Sequence, residues 1–169
     1  MFNFLDKARY YIWASYRRRL LDKLQKKYSN LYKGIVLDIG GRNRGGFKKP
    51  KEKVEQWIFA DIEESHNPDI VLDVSCMNMV ETESIDIIAA MELFEHVEKI
   101  EKGLSECYRV LKKGGFMLIS VPFLHPIHAD PSDFQRWTEY KWRVELERIG
   151  FKIKKIILWG HILLSWQTC

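Results

Sequence analysis

Five short apolar runs, most of them beginning or ending at a glycine or an aspartate, constrain the fold of this chain more than any other feature. In chain order they are "GIVLDIGG", "QWIFADI", "DIVLDV", "SIDIIAAM" and "GFMLISVPF". Continuous apolar runs of this length are typical of strands buried on both faces. The helix "KIEKGLSECYRVLKK" precedes the fifth run and is expected to stop at Gly114. Alternating buried strands and helices predict an α/β fold with a parallel sheet.

The first third of the chain is basic and amphipathic. Residues 1–53 hold 15 Lys and Arg against 4 Asp and Glu. We expect residues 1–33 to form a helical leader and residues 34–169 to form one domain with a packed core. Four interpretations of the leader remain open. It could be a solvated helix face, bind a phosphate-rich partner, lie on an anionic membrane surface, or cover a ligand as a lid. The apolar arc of the predicted leader helix comprises Trp13, Tyr16, Leu20, Leu24, Tyr28 and Leu31.

Cysteine usage and the N-terminal sequence predict a cytoplasmic protein. The three cysteines are widely spaced and form no CxxC pair, which argues against a disulfide framework and a zinc site. The first residues lack the features of a signal peptide. The apolar run "IILWGHILLSW" is too short to cross a membrane. Peripheral membrane contact through the basic leader remains open.

Two segments of the sequence are too short for the predicted parallel sheet. Only about eight residues separate the second strand from the third, whereas a parallel crossover needs about a dozen. Either the crossover helix is lost or a strand boundary is misplaced. At the other end, "GHILLSWQTC" is short for a loop and a seventh strand, so the C-terminal hairpin is expected to be incomplete.

The glycine-rich stretch "VLDIGGRNRGG" is the strongest indication of a ligand. It cannot be a GxxxxGK[ST] phosphate loop, because Phe47 stands where lysine is required. It does not fit GxGxxG either, because Arg42 occupies the second glycine position. Asp38, at the strand end, would repel a pyrophosphate but suits a cation. S-adenosylmethionine carries an ammonium and a sulfonium and no phosphate, and Gly40 and Gly41 would let the backbone approach it.

Acidic residues also follow the second and third strands. Asp61 is placed to accept hydrogen bonds from both ribose hydroxyls, as acidic residues do in nucleotide folds. Asp73 can accept from the adenine amino group, while the backbone N–H of Val74 meets a ring nitrogen. Ile62, beside Asp61, and Met91, at the end of the fourth strand, complete the predicted cofactor contacts. Each aspartate alone is more simply a turn residue, but three at successive strand ends indicate one binding rim.

The segment "HPIHADPSDFQRW" beyond the fifth strand offers candidate bases. His128 is the first choice, with Asp130 close behind to orient it, and His125 and Asp133 are further candidates. In the alternative interpretation this segment is structural, with Asp133 in a salt bridge to Arg136. No metal site is predicted, because HxxH without a third ligand leaves most metals underbound. His96 is interpreted as a structural histidine.

The sequence resembles the class I S-adenosylmethionine-dependent methyltransferases from about residue 36 to residue 155. "VLDIGG" resembles their first motif, "FADI" the acidic second motif and "LDVSCMNM" the adenine-side loop. The forty residues from "ESIDIIAAMELFEHV" to "GFMLISVPF" are similar to their fourth strand, helix and fifth strand. Within the class, "VPFLHPIHADPSDFQRWT" is similar to small type 11-like members associated with polysaccharide biosynthesis. The resemblance implies a Rossmann-like, doubly wound, mostly parallel sheet, with S-adenosylmethionine as cofactor and S-adenosylhomocysteine as product.

Three functions follow from these observations. The first is O-methylation of a sugar, glycan or other small-molecule hydroxyl. The second is nucleic-acid methylation, motivated by the basic leader but disfavoured because the leader has no RNA-binding motif. The third is a non-catalytic binding module, motivated by Arg42 and the short C-terminal segment.

Overall fold

One seven-stranded sheet organises the chain. The computed structural model describes residues 16–41, 46–128 and 132–158, together with the backbone of 161–167. The strands are β1 (Gly34–Ile39), β2 (Val54–Asp61), β3 (Ile70–Val71), β4 (Ile85–Met91), β5 (Leu111–Pro122), β6 (Lys152–Leu158) and β7 (His161–Gln167), and the α-helices are α1 (Tyr16–Lys27), α2 (Ile100–Val110) and α3 (Glu139–Ile149).

The order of the strands is β3-β2-β1-β4-β5-β7-β6. Strands β1 to β5 pair in parallel, whereas β7 lies antiparallel between β5 and β6. The order reverses at β1, where the chain passes outward to β2 and β3 and then returns to β4. Open α/β sheets bind their ligands at such a reversal, beyond the carboxyl ends of the strands. The predicted fold class, a doubly wound and mostly parallel sheet, is confirmed.

Two apolar clusters cover the two faces of this sheet. The larger one packs strand residues against α2 and α3 and includes Leu37, Ile88, Ile119, Leu104 and Trp142. The smaller one lies on the opposite face and comprises Tyr32, Val36, Ile87, Ala89 and Leu118, with Phe47 and Trp57 packed against it. Because successive strand residues face opposite sides, Asp38 shares the smaller cluster's face with Val36.

Helix α2 ends earlier than its sequence indicates. The predicted helix continued through Lys112 and Lys113 to a cap at Gly114, but α2 stops at Val110 and β5 starts with the next residue. The backbone N–H groups of Glu83 and Ser84 bond to the carbonyls of Arg109 and Val110, at 3.0 and 2.9 Å. These bonds tie the end of the helix to the start of β4, which local sequence does not reveal.

The short connection between β2 and β3 contains no crossover α-helix. A single 3-10 turn at Glu64–His66 occupies it, and β3 is only two residues long. The backbone N–H of Phe59 donates to the side chain of Asp69 at 2.8 Å, and the N–H of Leu72 donates to the carbonyl of Asp61 at 2.9 Å. The first of the two explanations for this joint, loss of the helix, is therefore correct.

The C-terminal hairpin is complete, so the expectation that it would be incomplete is wrong. Strand β7 pairs with β5 from Phe116↔Gln167 to Pro122↔His161. It also pairs with β6 from Lys152↔Gln167 to Leu158↔Ile162. Only the two residues 159 and 160 separate β6 from β7. A connection of only two residues spares the chain the long loop that made the segment look too short.

The N-terminal helix α1 presents a different face from the one predicted. Leu21 and Asp22 are buried, whereas Tyr16 of the predicted apolar arc is 68% exposed. Trp13 of that arc lies outside the described residues. The helix packs against a polar cavity, described below, so an apolar periodicity does not identify its buried side.

Candidate active site

A cavity of about 190 Å³ lies at the carboxyl ends of β1 and β4, with α1 forming one wall. This is the edge of the sheet at which an open α/β fold binds ligands. Of the predicted site residues, the cavity brings together Asp38, Gly40, Gly41, Met91 and His128. The other lining residues are Arg17, Arg18, Asp22, Gln25, Tyr32, Phe47, Lys49, Trp57, Ala89, Glu92, Glu95 and His96.

The two glycines after β1 shape the floor of the cavity. Gly40 has φ of 69°, a conformation that favours glycine, and its N–H donates to the carbonyl of Ala60 at 2.8 Å. A Cβ at Gly41 would lie 1.9 Å from Oδ1 of Asp38. Gly41 is therefore required for the carboxylate of Asp38 to turn under the loop. Residues 42–45, which include Arg42, lie outside the described residues.

Asp38 is buried and paired with a lysine that sequence analysis did not identify. Nζ of Lys49 lies 2.8 Å from Oδ2 of Asp38, and Nε1 of Trp57 donates to the same oxygen at 3.1 Å. The ammonium also lies 4.9 Å from the ring centroid of Trp57. Burial raises the pKa of Asp38 above its ordinary value, while Lys49 opposes that shift. The cation that contacts Asp38 in this structure is the ammonium of Lys49, and the binding of a cofactor's cation there stays a prediction.

The remaining predicted cofactor contacts do not line the cavity. Asp61 ends β2, where Oδ1 accepts from the N–H of Glu63 at 3.0 Å. Oδ1 of Asp73 accepts from both the N–H and the hydroxyl of Ser75, each at 2.8 Å. Both aspartates therefore act as turn residues. Ile62 is 58% exposed, whereas Val74 is buried in the larger core. Their roles at the ribose and the adenine stay predictions.

Helix α1 is joined to the carboxyl edge of the sheet by ion pairs. Glu92, which follows β4 with φ of 54°, lies 2.7 Å from Nη1 of Arg17 and 2.8 Å from Nη2 of Arg18. The carboxylate of Asp22 accepts from the N–H of Gly46 at 2.7 Å and so holds the end of the glycine loop. Local sequence shows that these residues are charged but not which residues they contact, because the contacts join positions more than twenty residues apart.

The histidine-rich segment reaches the cavity through His128. Nδ1 of His128 lies 3.1 Å from Oδ2 of Asp133, and its ring centroid lies 5.0 Å from that of His125. The guanidinium of Arg136 bonds to both carboxylate oxygens of Asp133 and lowers the pKa of Asp133 to about 2. The salt bridge that the structural interpretation expected is therefore present. Asp130, expected to orient His128, lies outside the described residues. Asp133 is the aspartate that lies beside the imidazole of His128.

The protonation of His125 follows from its surroundings. Burial lowers the pKa of His125, and the positive charge of Arg17 lowers it further. The imidazole is therefore neutral at pH 7 and keeps a free lone pair. His125 itself does not line the cavity, so its contact with the site is through His128.

Two cavity residues were missed or undervalued by sequence reasoning. Glu95 lies in the 3-10 turn Phe94–His96 and is only 2% exposed. Burial, with a smaller contribution from the charge of Glu92, raises the pKa of Glu95 to about 8. His96, interpreted as structural, also lines the cavity, although its Nδ1 does bond to the carbonyl of Ser132 at 2.6 Å. In the "MELFEH" stretch, Glu92 lies near the strand end and could face a substrate, whereas nothing in the local sequence distinguishes Glu95.

Comparisons with known proteins agree with this architecture. Residues 47–119 match the sequence profile of a family described as a methyltransferase domain. Searching curated proteins by sequence gave no match. Among solved structures, a candidate methyltransferase from Bacillus halodurans aligns with a TM-score of 0.72 at 16% identity, over 86% of this chain and 97% of that one.

Two further solved structures have the same architecture. A SAM-dependent methyltransferase from Aquifex aeolicus aligns with a TM-score of 0.69 at 17% identity, over 100% of both chains. Another from Archaeoglobus fulgidus gives a TM-score of 0.62 at 20% identity, over 81% of this chain and 71% of that one. The fold is therefore that of the Rossmann-like class I methyltransferases. The matched profile is that of a methyltransferase domain, and the last two structures are described as SAM-dependent methyltransferases.

No α-helix within the described part of the chain is both long enough and apolar enough to span a membrane.

Proposed function

We propose that this chain transfers the methyl group of S-adenosylmethionine to a hydroxyl of a sugar, a glycan or another small molecule. One observation carries the proposal: a buried carboxylate suited to a cationic cofactor, Asp38, and a candidate base, His128, line the same cavity. The cavity lies at the point where the strand order reverses, beyond the carboxyl ends of β1 and β4. A cofactor and an acceptor bound there would lie side by side.

The proposed cofactor placement follows the strand ends. The ammonium of the methionine moiety would interact with Asp38, whose carboxylate already interacts with the ammonium of Lys49. Asp61 would accept hydrogen bonds from the ribose hydroxyls, and Asp73 with the N–H of Val74 would bind the adenine. Parallel pairing of β1, β2 and β3 places these three aspartates at one edge of the sheet. S-adenosylhomocysteine would leave from the same site.

The chemistry requires alignment more than a nucleophilic side chain. The acceptor oxygen attacks the methyl carbon in line with the sulfur, the carbon–sulfur bond breaks, and its electron pair returns to sulfur. Proximity can supply about 7 to 11 kcal/mol of such a barrier. His128 is the proposed base for the hydroxyl proton, and the carboxylate of Asp133 beside its Nδ1 would stabilise the imidazolium that forms. The helix α1 forms a wall of the cavity and is proposed as its lid.

Calorimetry with four ligands tests the cofactor assignment. The full chain is titrated with S-adenosylmethionine, S-adenosylhomocysteine, ATP and NAD. We expect S-adenosylmethionine and S-adenosylhomocysteine to bind. ATP and NAD should bind far more weakly, because Asp38 repels a phosphate anion. Absence of S-adenosylmethionine binding at millimolar concentration would overturn both the proposed methyltransferase function and the assignment of the cofactor. Binding without turnover on any acceptor would favour the non-catalytic module.

The acceptor is tested by product formation. Nucleotide sugars, lipid-linked glycans and small hydroxylated metabolites are each incubated with the chain and labelled S-adenosylmethionine. We expect label in a sugar or glycan hydroxyl, in line with the resemblance to members associated with polysaccharide biosynthesis. A role in cytoplasmic polysaccharide synthesis belongs to the same proposal. Labelling only of nitrogen or carbon acceptors would contradict it.

Nucleic-acid methylation is the second candidate, and the basic first third of the chain favours it. Two of its arginines, Arg17 and Arg18, are paired with Glu92 inside the site, so they do not form an exposed phosphate-binding face. Lys23, Lys26 and Lys27 are exposed on α1. Reversing these three charges should abolish RNA or DNA binding if this candidate is correct, and should leave small-molecule methylation unchanged if the first proposal is correct.

A further inference from the structure

Three potential metal ligands converge on the side of the cavity opposite Asp38's loop. One ligand atom from each of Glu95, His96 and His128 lies within 4.8 Å of the other two. The rings of His96 and His128 are 5.1 Å apart and nearly perpendicular, at 84°. The sequence offered only HxxH, with no third ligand. The fold supplies the missing ligands from the turn after β4.

Glu95 is the decisive member of this cluster. Its side chain is 1% exposed, and among the described residues no other residue donates a hydrogen bond of good geometry to either carboxyl oxygen. Its nearest cationic candidate is Nε2 of His96, at 3.9 Å from Oε1. Buried carboxyl oxygens that no neighbouring residue bonds to are uncommon in folded proteins, and a bound cation would satisfy them. The orphaned oxygens therefore point to a ligand that binds here.

The two imidazoles are oriented by neighbours outside the cluster. Nδ1 of His96 lies 2.6 Å from the carbonyl of Ser132. A carbonyl only accepts, so Nδ1 carries the proton and Nε2 keeps the lone pair that a metal needs. Oδ2 of Asp133 lies 3.1 Å from Nδ1 of His128, but this contact does not have hydrogen-bond geometry, so it does not fix which nitrogen of His128 carries the proton. Metal-binding histidines usually have a carbonyl or carboxylate at their second nitrogen in this way.

We propose that Glu95, His96 and His128 bind a divalent transition-metal cation. Two imidazoles and a carboxylate suit Zn²⁺, Co²⁺ or Mn²⁺ better than Mg²⁺, which prefers oxygen ligands. Bonds of about 2.1 Å in tetrahedral geometry place ligand atoms about 3.4 Å apart, so the three side chains would close by at most about 1.4 Å. Three protein ligands leave a position for water or substrate.

The consequence for catalysis rests on the proposed methyl transfer, although the metal site itself does not. A hydroxyl bound at the open position would lose its proton to solvent more readily, and its oxygen would attack the methyl carbon as described above. His128 cannot be both a metal ligand and the base, because each role uses the same lone pair. Metal dependence of turnover therefore separates the two roles.

Cobalt binding to the full chain tests the site without any cofactor. The protein is purified with a chelator, dialysed, and titrated with Co²⁺ and Zn²⁺ by calorimetry, while visible absorption monitors Co²⁺. We expect one equivalent of each cation to bind, and Mg²⁺ to bind at least tenfold more weakly. Glu95→Gln and His128→Gln should each weaken Co²⁺ binding by at least tenfold. His66→Gln, an imidazole outside the cavity, is the matched control and should leave binding unchanged.

Thermal melting distinguishes a metal ligand from a merely structural acid. Glu95→Gln keeps the side-chain shape and should melt at or above the wild-type temperature without metal, because it removes a buried carboxyl. Zn²⁺ should raise the melting temperature of the wild type and not of the variant. Failure of Co²⁺ and Zn²⁺ to bind, or binding that survives Glu95→Gln, overturns the metal site. If S-adenosylmethionine still binds in that case, the proposed methyl transfer stands with His128 as base.

Discussion

Nζ of Lys49 lies 2.8 Å from Oδ2 of Asp38, so an ammonium from the protein itself contacts the carboxylate that is predicted to bind the cofactor's ammonium. The lysine reaches it from the connection between β1 and β2, where no helix is present among the described residues. Lys49 also lies over the ring of Trp57. A cofactor entering this corner must share Asp38 with Lys49 or displace it.

Lys49→Met should therefore tighten S-adenosylmethionine binding. Removing the competing cation leaves Asp38 to the ligand, and we expect a gain of up to about tenfold, or about 1.4 kcal/mol. The measurement is calorimetry on the folded variant. Lys51→Met, an exposed lysine two residues further on, serves as control. Weaker binding in Lys49→Met would mean that the lysine contacts the cofactor directly.

Gly41→Ala should abolish cofactor binding through Asp38. The added methyl group would lie 1.9 Å from Oδ1 of Asp38, so either the loop or the carboxylate must move. We expect a loss of about 1 to 3 kcal/mol in unfolding free energy, measured by urea denaturation. The double variant Gly41→Ala with Asp38→Ala should recover most of that loss, because the clash is removed. If the double variant recovers none of the unfolding free energy, the strain arises from the backbone at Gly41 and not from the clash with Asp38.

Asp61→Asn tests the predicted ribose contact. An amide has one accepting oxygen where a carboxylate has two, so one ribose hydroxyl would face a donor instead of an acceptor, and the dissociation constant for S-adenosylmethionine should rise by about tenfold to a hundredfold. Glu64→Gln, a nearby exposed carboxylate, should have no effect. The position is informative because Asp61 also interacts with its own turn, with Oδ2 at 3.0 Å from Nδ1 of His66. Unchanged affinity in Asp61→Asn would assign Asp61 to the turn alone.

Arg17→Ala combined with Arg18→Ala should loosen α1. Both arginines pair with Glu92, whose side chain is 9% exposed, so the double variant leaves a nearly buried carboxylate with fewer partners. We expect faster proteolysis within α1 and weaker cofactor binding, because that helix forms a wall of the cavity. Lys23→Ala on the exposed side of α1 is the control. Equal proteolysis rates in the two variants would contradict a lid held by these ion pairs.

Acid should remove a contribution to stability from Glu106. Arg109 donates to both carboxylate oxygens and holds the pKa of Glu106 below its ordinary value of 4.5. Because the folded pKa is the lower one, the stabilisation is complete above about pH 4.5 and is lost as the pH falls further. The difference in unfolding free energy between wild type and Glu106→Gln should therefore shrink on acidification. A constant difference would show that the charge of Glu106 contributes nothing.

The ion pair of Glu106 and Arg109 also contacts the loop on the predicted adenine side of the site. Glu106 accepts from the N–H of Met77 at 2.8 Å, and Arg109 donates to the carbonyls of Met77 and Val80 at 2.9 and 3.0 Å. Helix α2 thereby fixes the loop that follows Asp73. Loss of the pair should weaken cofactor binding as well as stability, and calorimetry on Glu106→Gln at pH 7 measures the first effect.

The strands that the sequence predicted best are those with a continuous apolar run. Strands β1 and β4 are apolar except for one aspartate each, Asp38 and Asp86, because neither face of a central strand meets water. The C-terminal hairpin was harder to predict, since β6 alternates apolar and lysine residues and its pairing with β7 depends on contacts with β5. The end of α2 was misplaced for a similar reason, because pairing along β4 recruits Leu111 into β5.

The candidate site divides in the same way. Local sequence identified Asp38, Gly40 and Gly41, because a glycine turn after a buried strand has a strong local pattern, and it selected His128 from a segment dense in histidine and proline. It could not find Lys49 or Glu95, whose roles come from pairing and burial rather than from neighbours along the chain.

The sequence by itself determined the class of fold, the carboxylate at the end of β1 and the histidine segment beyond β5, because apolar periodicity and turn chemistry act over a few residues. Only the tertiary structure decided which charges share the cavity. It brings Lys49 to Asp38, Arg17 and Arg18 to Glu92, and Glu95 with His96 to His128. The electrostatic energy of a charge depends on its distance to other charges and to water, and the folded chain alone sets those distances.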